Sequence, residues 1–196
     1  MAQKIKRLEL KPSGKVFIEL NKSNSSKNAT GVVNKNSKET SDLMPHGDLL
    51  RALEKLTPHL LIAMELADPT YTLIDKDYPM DKKYFDSWEW KEDPRFEGLT
   101  VTGILVVGKE AVDGIYLLGT KETSLGGISK LKTPLISLVK EVESENYPLQ
   151  LIIDAQIETL ISEALEYHNE LKFAPDPQGK LWEDATAQGG QLKKVS

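Results

Sequence analysis

Apolar residues recur at helical spacing in the second quarter of the chain. Between about residues 48 and 66, spacings of three and four place five of them on one stripe: Leu49, Leu53, Leu56, Leu60 and Met64. Such a stripe is typical of an amphipathic helix packed on a core. Pro58 lies inside the stripe, and proline removes a backbone donor and clashes with the preceding turn. We therefore expect a kink at Pro58 or a break into two helices.

A second stripe predicts a long helix near the C-terminus. Asn146-Tyr147-Pro148 combines a capping residue with a first-turn proline, which is typical of a helix start. The stripe then runs through Leu149, Ile153, Ile157, Leu160, Ala164 and Leu171. We expect one helix from Asn146 to about Lys172.

Shorter apolar runs with intervening turns predict strands. Residues 6–10 and 16–20 flank a Pro/Gly turn and form an N-terminal hairpin, and three later runs form a meander: 99–107, 114–120 and 128–138. Pro134 lacks a ladder donor, so the last strand is an edge or carries a bulge. Strands come in runs without β/α alternation, which predicts an α+β fold: a largely antiparallel sheet, hairpin plus meander, with two helices packed on one face.

Two polar stretches set the expected domain limits. Residues 21–41 are mostly Asn, Ser, Lys and Thr, a composition that buries too little apolar surface to offset its ordering entropy. We predict a single α+β domain over residues 1–173 with a mobile polar loop at 21–41. Beyond Lys172 the chain carries Pro175, Pro177, Gly179, Gly189 and Gly190, so residues 174–196 are predicted to be a flexible tail.

Composition narrows the class of protein. The 196 residues include no cysteine and carry a formal charge of −5, which excludes thiol catalysis and disulfide scaffolds and disfavours direct nucleic-acid binding through bulk charge. The longest apolar runs are far shorter than the ~20 residues of a membrane span. No apolar signal core opens the chain. We therefore expect a cytoplasmic protein that has no membrane contact.

Motifs for catalysis are weak. Three acids, Asp75, Asp77 and Asp81, suggest a cation site, but Met80 and Asp86 stand where an EF-hand loop needs glycine and glutamate. Solvated loop acids are the preferred interpretation, and a Mg²⁺-dependent hydrolase or nuclease using them is the alternative. Phosphate-cradle, nucleophile-elbow and zincin motifs do not occur. We predict no catalytic residues, no metal site and no cofactor.

The three histidines, His46, His59 and His168, lie far apart in sequence. We expect His46 to help begin the first helix. We expect His168 to lie at the edge of the core, while His59, next to Pro58, gives no further indication.

Aromatic residues concentrate between residues 69 and 97, a stretch that also carries more acids than bases. Three interpretations of this segment are ranked. A lid folded on the sheet is preferred, a protein-binding loop is second, and a site for single-stranded nucleic acid is third. Trp88 and Trp90 are the candidate partner-binding residues of this segment.

The tail carries the most specific motif. Gln178 is followed three and four residues later by Leu181 and Trp182. This arrangement resembles the short peptides with which bacterial DNA-metabolism proteins bind the sliding clamp, although Gly179 stands where leucine is usual and Trp182 where phenylalanine is usual. The alternative is that Leu181 and Trp182 pack back on their own domain.

Four short segments carry a wider resemblance: LEKLTPH at 53–59, VTG at 101–103, KTPL at 132–135 and PQGKLW at 177–182. With its charged hairpin and long last helix, the chain resembles a group of bacteriophage and prophage proteins without known activity. The resemblance implies a phage origin and the host bacterial cytoplasm. We expect a non-enzymatic accessory protein that binds a protein of DNA replication or recombination, with the sliding clamp as first candidate. A virion-associated structural protein is a further alternative, and the oligomeric state stays open.

Overall fold

The computed structural model describes residues 3–23, 34–41, 43–64, 90–92, 94–108, 112–139, 147 and 149–169. Within these ranges, one antiparallel sheet has the order β3-β2-β1-β4-β5-β6, and β7 also pairs with β5. The strands are β1 (Gln3–Leu10), β2 (Val16–Ser23), β3 (Asn34–Ser41), β4 (Leu99–Val107), β5 (Gly114–Glu122), β6 (Ile128–Lys132) and β7 (Ile136–Ser137). The N-terminal hairpin therefore joins the meander through β1 and β4.

The helices in this part of the chain are α1 (Gly47–Glu54), α2 (Thr57–Ala63) and α3 (Gln150–Asn169). The expected kink or break at Pro58 is a break, because α2 starts anew with Pro58 in its first turn, where the missing N–H has no intrahelical acceptor anyway. The predicted long helix is α3. It begins at Gln150, later than the expected start at Asn146, and the Leu149 carbonyl accepts from the Ile152 and Ile153 N–H groups.

One face of the sheet, here called the inner face, carries the core. Strand residues such as Leu8, Ile104 and Leu117 are buried there against apolar side chains of α1, α2 and α3. The opposite surface of the sheet is called the outer face. The predicted α+β class, with an antiparallel sheet and helices on one face, is confirmed.

The polar stretch at 21–41 is not a loop throughout. Residues 21–23 continue β2, and Asn34–Ser41 forms the edge strand β3, paired with β2 from Val16↔Ser41 to Ser23↔Asn34. An edge strand is stabilised by backbone hydrogen bonds to one neighbour and needs few apolar side chains. The polar composition therefore did not predict strand β3. Residues 24–33 lie outside the described residues, as do 170–196, which include the predicted tail.

The third strand of the meander is interrupted at Pro134. β6 and β7 both pair with β5, and Thr133 bridges the gap between them: its backbone N–H donates to the Leu117 carbonyl at 3.1 Å, and its Oγ1 accepts from the Leu117 N–H at 3.0 Å. The predicted irregularity at Pro134 is thus confirmed. None of the helices described above is both long and apolar enough to cross a membrane.

Candidate functional site

Trp90 is where the aromatic stretch meets the described fold. Two short 3-10 helices, Trp90–Glu92 and Pro94–Phe96, lead into β4. The ring centroids of Trp90 and Phe96 lie 5.7 Å apart in an edge-on arrangement, and Phe96 is buried in the core. Gly98 then turns the chain with φ +68°, and its carbonyl accepts from the Glu122 N–H at 2.9 Å. The contact with the buried Phe96 ring therefore positions Trp90 beside the core.

A groove of about 550 Å³ lies between α1, the 3-10 helices and the first residues of β4. Its apolar lining includes Leu10, Leu53, Trp90, Phe96, Leu99 and Val101. Trp90 is only partly buried, whereas Leu53, Phe96 and Leu99 belong to the core. The groove thus combines a rigid apolar floor with an accessible tryptophan wall. We call it the Trp90 groove.

Charged side chains of both signs line the rim of the Trp90 groove. Lys91 Nζ lies 2.6 Å from Glu54 Oε1, with 63% and 48% of the two side chains exposed. Arg51 pairs with the Asp48 carboxylate on the other part of the rim. Exposed ion pairs contribute little stability, so these side chains can change partners when a ligand arrives. The groove is therefore suited to hold an apolar side chain between charged neighbours.

The structure places one of the five predicted partner-binding residues. Trp90 lines the groove together with Phe96 and Lys91. The other four lie outside the described residues: Trp88, Gln178, Leu181 and Trp182. The same holds for the acids of the alternative cation site, Asp75, Asp77 and Asp81. In the part of the chain that the structure covers, no three His, Cys, Asp or Glu side chains are grouped to hold a metal ion.

Two of the histidines behave as expected. His46 is the N-cap of α1, and its Nδ1 accepts from the Asp48 backbone N–H at 3.3 Å. His168 lies near the end of α3 with 17% of its side chain exposed, and its Nδ1 is 3.5 Å from Glu39 Oε2 on β3. His168 is thus a histidine at the edge of the core.

His59 is the polar residue that the sequence did not single out. Its side chain is completely buried, with Nδ1 2.9 Å from the Tyr147 hydroxyl and Nε2 3.0 Å from Gln156 Oε1. Because Oε1 only accepts, Nε2 carries the proton and Nδ1 accepts from the tyrosine. Burial lowers the pKa of His59 to about 3, against the opposing effect of the Gln156 hydrogen bond. Burial also raises the pKa of Tyr147.

These three side chains form a neutral polar cluster between α2 and α3. Burial favours the neutral forms of His59 and Tyr147. The cluster therefore stays uncharged over the physiological pH range. Its chemistry is that of a hydrogen-bonded connection between two elements, since His59 has no exposed surface. The sequence signal was a histidine in the first turn of α2, adjacent to the buried Leu60.

The chain matches no protein-family model, no curated protein and no solved structure. The fold and the groove therefore define only a structural class: the protein is an antiparallel α+β protein with an apolar groove beside Trp90. The resemblances to phage proteins and to clamp-binding peptides remain predictions.

Proposed function

We propose that the protein is a non-catalytic accessory protein that binds a peptide segment of a protein partner in the Trp90 groove. The observation that carries this proposal is the accessible wall formed by Trp90 over a floor of core residues. The volume of about 550 Å³ falls in the range of roughly 300 to 1,000 Å³ that is typical of binding sites. Tryptophan is also among the residues that most often dominate binding energy at interfaces.

The occupant that fits this groove is an extended peptide with one large apolar side chain between charged residues. Leu53, Phe96 and Leu99 offer an apolar floor for the large side chain. The rim offers Lys91 and Arg51 to acids and Glu54 to bases. Burying one such side chain contributes roughly 1.5 to 3 kcal/mol. Ordering a flexible peptide opposes binding, so we expect micromolar affinity.

A displayed library of random peptides, selected on the full chain, tests the groove. We expect enrichment of peptides with an aromatic or leucine anchor. Trp90→Ala should weaken their binding by about tenfold, since it removes one side of the site. The measurement is fluorescence anisotropy of the labelled peptides. Leu125→Ala is the matched control, because Leu125 is an apolar side chain that is 96% exposed at a hairpin tip and does not line the groove. Equal affinity for parent protein and Trp90→Ala would show that the peptides bind elsewhere.

The tail adds a second contact to this proposal. We propose that Gln178, Leu181 and Trp182 bind a protein of DNA replication or recombination, with the sliding clamp as first candidate. Support comes from the sequence resemblance and from the roughly 1.5 to 3 kcal/mol that burial of each of the two large apolar side chains would contribute. A phage origin would place this interaction in the host bacterial cytoplasm.

Purified sliding clamp, titrated with the full chain by biolayer interferometry, tests the tail. We expect micromolar binding, and a loss of at least tenfold in the Leu181→Ala/Trp182→Ala double variant with an unchanged melting temperature. The Trp90→Ala variant serves as control, because the groove and the tail are separate contacts in this proposal. A double variant that melts several degrees lower and keeps its clamp response would show that the tail belongs to the fold.

A further inference from the structure

The outer face of the sheet carries two aromatic rings. Phe17 on β2 lies between the buried Val16 and Ile18, and Tyr116 on β5 lies between the buried Ile115 and Leu117. Because side chains alternate along a strand, both rings lie on the outer face, where they are only partly buried. The three helices pack on the inner face, so none of them covers these rings.

Each ring lies close to cationic groups. The Phe17 centroid is 5.5 Å from Arg7 Cζ and 5.2 Å from Lys11 Nζ. The Tyr116 centroid is 4.0 Å from Lys132 Nζ. Cation–π contacts at exposed positions are weak, so an anionic group could draw these cations away from the rings. The face therefore offers paired sites, each with a flat aromatic surface and an adjacent positive charge.

Strand register brings more positive than negative charge to this face. The cationic residues of the described strands and turn are Lys4, Arg7, Lys11, Lys38, Lys130 and Lys132, and the acidic ones are Glu9, Glu19 and Glu122. Glu9 pairs with Arg7 and Lys11, and Glu19 lies 3.9 Å from Lys38. The whole chain carries −5, so the outer face is more positive than the rest of the molecule. The total charge, from which direct nucleic-acid binding was disfavoured, does not report this separation.

The two rings are also spaced along a path. β1 and β4 separate β2 from β5, so the rings lie about 15 Å apart at the ordinary strand spacing. Between them the register places Glu9 and Arg7 on β1 and the partly buried Leu105 on β4, which pairs with both Arg7 and Tyr116. A few nucleotides of an extended strand span that distance.

We propose that the outer face binds single-stranded nucleic acid, with bases stacked on Phe17 and Tyr116 and phosphates next to Arg7, Lys11 and Lys132. Planar bases use both features of the face, since stacking on aromatic side chains and contacts with cations together bind single strands. An acidic peptide would use only the cations. This inference concerns a surface distinct from the Trp90 groove and goes beyond the proposed function.

Fluorescence anisotropy with the full chain tests this proposal. The probe is a labelled oligothymidylate of about 12 nucleotides, within the known site sizes of such surfaces. We expect binding at low salt, about tenfold weaker in Phe17→Leu and in Tyr116→Leu, which keep the apolar bulk but lose the stacking surface. Lys132→Gln should reduce the slope of log K against log salt by about 0.7. Lys55→Gln is the charge-matched control, because Lys55 is exposed at the end of α1. Melting curves check that each variant folds.

Three results would overturn the proposal. The first is no anisotropy change at low salt. The second is equally tight binding of a duplex of the same length, which would indicate attraction by charge without base stacking. The third is displacement of the probe by polyglutamate at equal concentration, together with unchanged affinity of Tyr116→Leu, which would assign the face to an acidic protein surface.

Discussion

The His59→Leu variant is expected to unfold with a free energy about 3 kcal/mol below that of the parent protein at pH 8, and with nearly the same free energy at pH 4. The loss at pH 8 arises because the Tyr147 hydroxyl and the Gln156 amide, both on partly buried residues, lose the hydrogen-bond partner that His59 provides. A buried polar group without a partner costs roughly 1 to 3 kcal/mol. Leucine fills the volume, so the cavity contribution is small.

The pH dependence follows from the pKa of His59. In the unfolded chain this imidazole has its ordinary pKa of 6.5, and in the folded protein burial lowers the pKa to about 3. Between these values the unfolded state binds a proton that the folded state does not, so stability is present above pH 6.5 and decreases as the pH falls. The slope approaches about 1.4 kcal/mol per pH unit. Leucine does not titrate, so the variant lacks this part of the acid sensitivity.

Urea unfolding of both proteins at a series of pH values between 4 and 8 measures this effect. His168→Leu is the matched control: it removes a histidine from the edge of the core and leaves His59 in place, so it should keep the acid sensitivity of the parent. Parallel loss of stability in the parent and in His59→Leu would contradict a buried neutral imidazole.

Gly103→Ala is expected to destabilise the fold by about 3 kcal/mol or more. A Cβ atom on Gly103 would lie 2.1 Å from the Leu8 carbonyl oxygen and 2.8 Å from the Glu9 Cα. Both are backbone atoms of β1 and cannot move aside as a flexible side chain would. The β1–β4 pairing includes Leu8↔Ile104 and Glu9↔Gly103, and it joins the N-terminal hairpin to the meander. The added methyl group therefore acts at the junction of the two parts of the sheet.

Thermal unfolding compares Gly103→Ala with Gly47→Ala. At Gly47 the added Cβ would meet only the end of the flexible Arg51 side chain at 3.3 Å. Since Gly47 begins α1, alanine there should be neutral or slightly stabilising. A melting temperature for Gly103→Ala within a degree or two of the parent would show that β1 and β4 can separate without cost.

Apolar periodicity in the sequence was enough to predict most elements of the fold. The β1–β2 hairpin, β4, β5 and α3 bury one side and expose the other, and each leaves a period of two or 3.6 in the chain. Pro58 similarly marked the break between α1 and α2 through its missing donor. The edge strand β3 left no such period, because its stability comes from backbone hydrogen bonds to β2, which any residue except proline can make.

The sites depended on the tertiary structure to different degrees. Trp90 could be selected from its side chain alone, but its groove requires Leu53 from α1 and Leu99 from β4. The outer face could be recognised only from the register of the strands, because the register decides that Lys132, Tyr116 and Arg7 share one surface. Charge totals add all side chains and cannot report which of them lie together.

By itself, the sequence determined the local features of this protein: where apolar stripes begin and end, where proline interrupts them, and the absence of cysteine chemistry. The tertiary structure alone decided which distant residues meet. His59 finds its partners 88 and 97 positions later in the chain, and Gly103 is required because β1 passes within 2.1 Å of its missing Cβ. Periodicity records whether a residue is buried. Only the packed chain specifies which atoms it is buried against.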